Sequence, residues 1–152
     1  MTTEVNNETD VEVDGAEFAA LADHVLRAMH VNPRAELNIL FIDPEPMEEL
    51  HVRWLDLPGP TDVMSFPMDE LRPGTPETET PAGTLGDIVL CPQVAAKQAL
   101  DAGHSAVEEM LLLTTHGILH LLGYDHAEAE EKKEMFDLQR RLLLTFLAER
   151  GK

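Results

Sequence analysis

Apolar positions along this chain recur with two periods, and the switches between them lay out its elements. Between residues 14 and 30, Phe18, Leu21, Ala22, Val25, Leu26 and Met29 recur every three to four positions, the stripe of an amphipathic helix. Asp14 stands before it as an N-cap with Glu17 three residues on, and Asn32 with Pro33 breaks it. Residues 2–6 form a short strand, and residues 36–42, rich in leucine, isoleucine and phenylalanine, read as a buried one. Pro44 and Pro46 suit the first turn of a short helix carrying Met47, Leu50 and Trp54. A turn through Pro58, Gly59 and Pro60 leads to a strand over 61–66. Residues 69–83, with three prolines and two glycines, make a long surface loop rather than a domain boundary. A strand over 84–91 and a helix over 92–102 follow. Ser105 and Glu108 form a capping box. The helix they open is apolar nearly all round at residues 110–113, which predicts a central, buried position. A last helix over 127–149 turns Met135, Phe136, Leu138, Leu142, Leu143, Phe146 and Leu147 inward, and Leu144 is assigned to the same core stripe. Its acidic start at Glu128, Glu130, Glu131 and Glu134 suits a helix N-terminus. No internal repeat and no regular strand–helix alternation appear. The pattern predicts an α+β fold, a small mixed sheet packed with about five helices, in a single domain spanning residues 1–152.

Composition narrows the setting. A chain of 152 residues is long enough to bury most of its unfolded surface. It has no apolar run long enough for a membrane helix, and its acidic first residues lack the basic and apolar regions of a signal peptide. One cysteine, Cys91, cannot form an internal disulfide, so a reducing cytoplasm is expected. Twenty-nine acids against eleven bases give a net charge of −18. That argues against tight non-specific binding to nucleic-acid phosphates, though it leaves room for a local basic cleft or a partner that supplies RNA.

The chemistry concentrates in residues 116–126. His116 and His120 are four apart and share one face of a helix. Gly123 can end that helix in a left-handed cap and swing His126 back as a third nitrogen ligand. Three neutral imidazoles with one open position are the donor set of a catalytic zinc site. Zinc so held lowers the pKa of a bound water to about 7 and polarises phosphoryl or carbonyl oxygens. The spacing is that of the metzincin pattern H-E-x-x-H-x-x-G-x-x-H. Gly117 stands where that pattern has its general-base glutamate, which argues against a peptidase.

His116, Gly117, Leu119, His120, Leu121, Gly123, Tyr124, Asp125 and His126 together resemble the signature of the YbeY family of bacterial single-strand-specific endoribonucleases. Residues 60–67, from Pro60 through Thr61, Asp62, Val63 and Ser65 to Pro67, are similar to that family's P-T-[DN]-V-L-S-F-P, and Gly86, Asp87 and Ile88 to its G-D-I strand. The residues from Glu4 to Asn7 fit its first strand, and the likeness runs in order from near residue 2 to near residue 147. The resemblance implies a four-stranded α+β fold, and a zinc-dependent endoribonuclease acting in ribosomal RNA maturation and ribosome quality control. Its partners would be single-stranded or ribosomal RNA and the ribosome or its proteins. It also implies an arginine upstream of Thr61 that contacts the substrate phosphate. Counted without a gap, that position is Leu55; Arg53, two residues earlier, is the catalytic candidate. On a strand the two would share a face, and on a helix they would not.

Asp125 is the second catalytic candidate, orienting a ligand imidazole or capping the helix that follows. Asp62 and Asp87 are read as turn or strand-end acceptors, Trp54 as a helix-face anchor that could instead stack a base, and Cys91 as a buried thiol. His24, His30, His51 and His104 are isolated surface or capping residues, and Lys132–Lys133 and Arg140–Arg141 are clustered bases on one helix's solvated side. Two rival functions stand beside the ribonuclease: a hydrolase of another substrate, such as a peptide, and a non-catalytic ribosome-assembly protein in which zinc staples the central helix to the following loop.

Overall fold

The structure, a computed structural model, describes residues 2–125 and 128–150. In chain order it contains β1 (Thr2–Asn7), α1 (Gly15–Ala28), β2 (Glu36–Phe41), α2 (Pro44–Leu55), β3 (Val63–Pro67), β4 (Thr84–Leu90), α3 (Pro92–Ala102), α4 (Ala106–Leu121) and α5 (Ala129–Arg150). The strands form one mixed sheet in the order β1-β2-β4-β3. β1, β2 and β4 run parallel, and β3 returns antiparallel to β4, with Ser65 opposite Ile88. Among the described residues this is an α+β architecture of a four-stranded mixed sheet with five helices: the hydrophobic pattern predicts the small mixed sheet packed with helices, and the family resemblance implies its four strands.

Side chains alternate across a strand, so the central strands must bury both faces. From β2 and β4, Leu37, Ile39, Phe41, Ile88 and Leu90 enter the main core with Phe18, Leu21, Leu111, Ile118 and Met135. The intervening Val89, with Ile42, Met64 and Cys91, packs against Met47 of α2 in a second cluster. This two-sided burial is why residues 36–42 read as an almost continuous apolar run.

Caps set the helix ends as the sequence implies. The Asp14 carboxylate accepts from the Ala16 and Glu17 amides at 3.2 and 3.4 Å. The Ser105 hydroxyl oxygen accepts from the Glu108 amide at 3.1 Å. α4 then runs through the middle of the molecule, touching α1, α3, α5, β3 and β4. No described helix is long and apolar enough to cross a membrane.

The segment over 69–83 is the long, largely exposed loop expected, and it is tethered: Leu71 joins the main core, and the Gly74 and Thr80 amides donate to the Met29 and His30 carbonyls at 3.0 and 3.2 Å. One expectation needs correction. Leu144 is 57% exposed, because three consecutive leucines on a helix span too wide an arc for all to face one core.

Candidate active site

The site begins with how closely α4 approaches the sheet. A Cβ added at Gly117 would lie 3.1 Å from the Ser65 hydroxyl oxygen and 3.1 Å from a methyl of Ile88. The glycine is therefore a close-packing position, where any side chain would require Ser65 and Ile88 to give by a few tenths of an ångström.

His116 and His120 open from α4 into a cleft of about 810 Å³. The cleft is walled by Trp54 and Leu55 at the end of α2, by β3 from Val63 to Pro67, and by Phe136 and Gln139 of α5. The two imidazoles lie 4.6 Å apart, centroid to centroid, and nearly perpendicular at 79°. Phe136 stacks over His116 at 5.9 Å. Gln139, buried on α5, places its Oε1 2.7 Å from His116 Nδ1. A carbonyl oxygen only accepts, so Nδ1 carries the proton and Nε2 keeps the lone pair of a metal ligand.

The end of α4 follows the predicted turn. Gly123, at φ +96°, donates to the His120 carbonyl, and Tyr124 donates to that of Leu119, both at 3.0 Å. These two bonds define a Schellman motif, which needs a residue tolerant of positive φ. Arg72 packs over the glycine, so that a Cβ there would meet its guanidinium at 2.7 Å. His126, the third ligand read from the sequence, lies outside the described residues. Among the described residues no set of three potential ligands converges. The His116–His120 pair, with the tautomer of His116 fixed, has the donor chemistry of two of the three imidazoles that a zinc site requires.

Neither catalytic candidate is among the described residues that line this cleft. Asp125 is exposed and lines a smaller depression, of about 300 Å³, with Arg72, Tyr124, Glu131 and Glu134. Arg53 lies along a groove with Glu8, Glu48 and Glu49, whereas Leu55 lines the histidine cleft. The segment is helical, so residues two apart diverge by roughly 200°. Leu55, the position the resemblance assigns to an arginine, is thus an apolar part of the cleft wall.

Trp54 is not a buried anchor. It is 61% exposed, meets Phe66 edge-to-face at 5.9 Å, and leaves Met47 as the buried residue of α2. Asp62 and Asp87 take structural roles, accepting from the Val63 amide at 2.7 Å and the Asn38 side-chain amide at 3.0 Å. Lys132 places its Nζ 5.7 Å from the Phe136 ring centroid. Three of the isolated histidines are partnered: His24 with Thr145, His51 with the Gly59 carbonyl and His104 with Glu109. Cys91 is fully buried in the second cluster, where desolvation pushes its thiol pKa up. Sequence reasoning missed Gln139. Its spacing from Met135, Leu142 and Phe146 puts a polar residue on an apolar stripe, the one signal that could have found it.

A family model described as Endoribonuclease YbeY matches residues 4–147. The chain belongs to the YbeY endoribonuclease family. A relative named Endoribonuclease YbeY from Beutenbergia cavernae is 68% identical over 150 residues, covering 99% of this chain and 100% of its own. One of the same name from Clavibacter sepedonicus is 62% identical with both chains fully covered. One from Bifidobacterium adolescentis is 61% identical over 97% of this chain and 81% of its own. A protein from Thermotoga maritima, solved in solution, superposes with a TM-score of 0.66 over 98% of this chain and 91% of its own; at 23% identity it supports the fold alone.

Proposed function

We propose that this chain is a zinc-dependent, single-strand-specific endoribonuclease acting on ribosomal RNA in the cytoplasm, in RNA maturation and ribosome quality control. The ribosome or its proteins are the partners. The observation that carries the reading is the pair His116 and His120 facing one cleft, with the ring of His116 held by Gln139, in a YbeY chain. His116, His120 and His126 would hold one zinc ion, which when bound supplies Lewis acidity toward a phosphoryl oxygen. Gln139 fixes the tautomer of His116, and Phe136 covers one face of its ring. Asp125, the neighbour of His126 in sequence, would orient that ligand's second nitrogen. Peptide hydrolysis is disfavoured because Gly117 supplies no carboxylate base where the metzincin pattern has its glutamate.

The test pairs the wild type with His120→Ala. Metal content is read by mass spectrometry, cleavage on a single-stranded RNA, and folding by circular dichroism. One zinc per chain, RNA cut by the wild type, and a folded but inactive variant are expected. A folded, zinc-loaded wild type that cuts no RNA, with a variant that unfolds, would move the reading to a structural metal in an assembly protein, because structural zinc contributes folding free energy.

A further inference from the structure

The cleft beside His116 and His120 has no lysine or arginine among its described lining residues; its one charged side chain is Asp62. A groove that grips RNA by its phosphates presents bases. This one presents rings and aliphatic surface instead. Trp54 and Leu55 are 61% and 56% exposed, a large apolar area left open to water at the mouth of the cleft. The indole meets Phe66 edge-to-face, which leaves aromatic surface on the cleft side of α2 and β3. Exposed apolar patches of this kind, rimmed by polar residues, mark binding surfaces.

We propose that the Trp54–Phe66 wall is a nucleobase subsite, holding unpaired bases of the RNA strand by stacking, with no lysine or arginine among the described lining residues to grip the phosphates. The proposal rests on the endoribonuclease reading and names the part of the RNA that the cleft recognises. Every base has a π-face, so stacking tolerates any sequence. A base inside a duplex has its faces covered by its neighbours, so the wall takes only unpaired strand. Stacking also accounts for how a chain of net charge −18 holds a polyanion: little of the binding free energy comes from charge.

Trp54 is the chain's one tryptophan, so its emission reports directly on the wall. The probes are a short 2′-O-methyl oligoadenylate and an abasic oligomer of the same length and charge, titrated into the wild type, Trp54→Ala and Trp54→Phe. Trp54 is exposed, so both variants should keep the wild-type circular dichroism. The oligoadenylate should quench Trp54 saturably and the abasic strand should not. Measured by fluorescence anisotropy, Trp54→Ala should weaken oligoadenylate binding by about 5- to 150-fold, the range for one stacked base, while Trp54→Phe keeps most of it. The slope of log K against log salt should stay shallower than about −0.7, the contribution of one single-strand phosphate contact. Equal binding of both probes, a steep salt slope, or unchanged binding by Trp54→Ala would overturn the subsite. Cleavage of unmodified RNA, followed in parallel, separates the two readings. Cleavage without quenching keeps the endoribonuclease and removes the stacking wall. Quenching without cleavage supports the wall and counts against the nuclease. Neither signal overturns both.

Discussion

One hydrogen bond decides which nitrogen of His116 faces the cleft. With Gln139 Oε1 2.7 Å from Nδ1, turning the ring or moving the proton would strand a buried carbonyl oxygen. Partners of this kind typically change metal affinity by about 10–100-fold when removed. Gln139→Leu should therefore lower zinc affinity within that range, read by competition with a chromogenic chelator, while circular dichroism stays native. Gln139→Glu retains an acceptor and should retain most of the affinity; equal losses in both variants would show that the hydrogen bond is not what matters. Little of this arrangement was legible from residues alone. The pairing of His116 and His120 was, because four-residue spacing fixes a shared helix face. The Gln139 contact was not, because it joins two helices at positions 23 residues apart, and helix packing rather than local spacing decides that they meet.

Elements were the most legible scale, because each carries its own punctuation. Asp14 and Ser105 start α1 and α4, and Gly123 ends α4 where a left-handed residue is needed. Gly123→Ala tests that stop. It introduces a Cβ at φ +96° and into the space held by the Arg72 guanidinium. Strain at such a position is worth about 1–3 kcal/mol, so the urea midpoint should fall with an unchanged slope. A midpoint that does not move would mean that the turn relaxes and Arg72 swings clear. Two features escaped for physical reasons. The segment over 69–83 is held to the α1–β2 turn by backbone amides, and backbone hydrogen bonds leave no mark on residue identity. The face of Arg53 depended on whether its segment was helix or strand, and only the formed α2 turns Leu55, rather than Arg53, toward the histidines.

Across the whole molecule, charge is the dominant long-range force. Twenty-nine acids and eleven bases leave a net −18, and Glu128, Glu130, Glu131 and Glu134 are all exposed at the start of α5. The pair formed by Arg27 with Asp23 at 3.0 Å is exposed and local, and such pairs offset little repulsion. Composition supplied the size of this imbalance but not its placement, and only the folded chain shows that the cleft itself lacks cationic side chains among its described residues. Acidic self-repulsion should then limit stability at low ionic strength. Raising salt from about 0.01 to 0.15 M shortens the screening length from about 30 to 8 Å, comparable with the spacing of surface charges. The melting temperature should rise across that range when followed by circular dichroism, whereas a fall would mean that attractive pairs outweigh the repulsion. The same salt series run with bound oligoadenylate separates the two uses of charge. Folding should strengthen as repulsion is screened, and binding at the Trp54 wall should barely respond, because a stacked base releases no counterions.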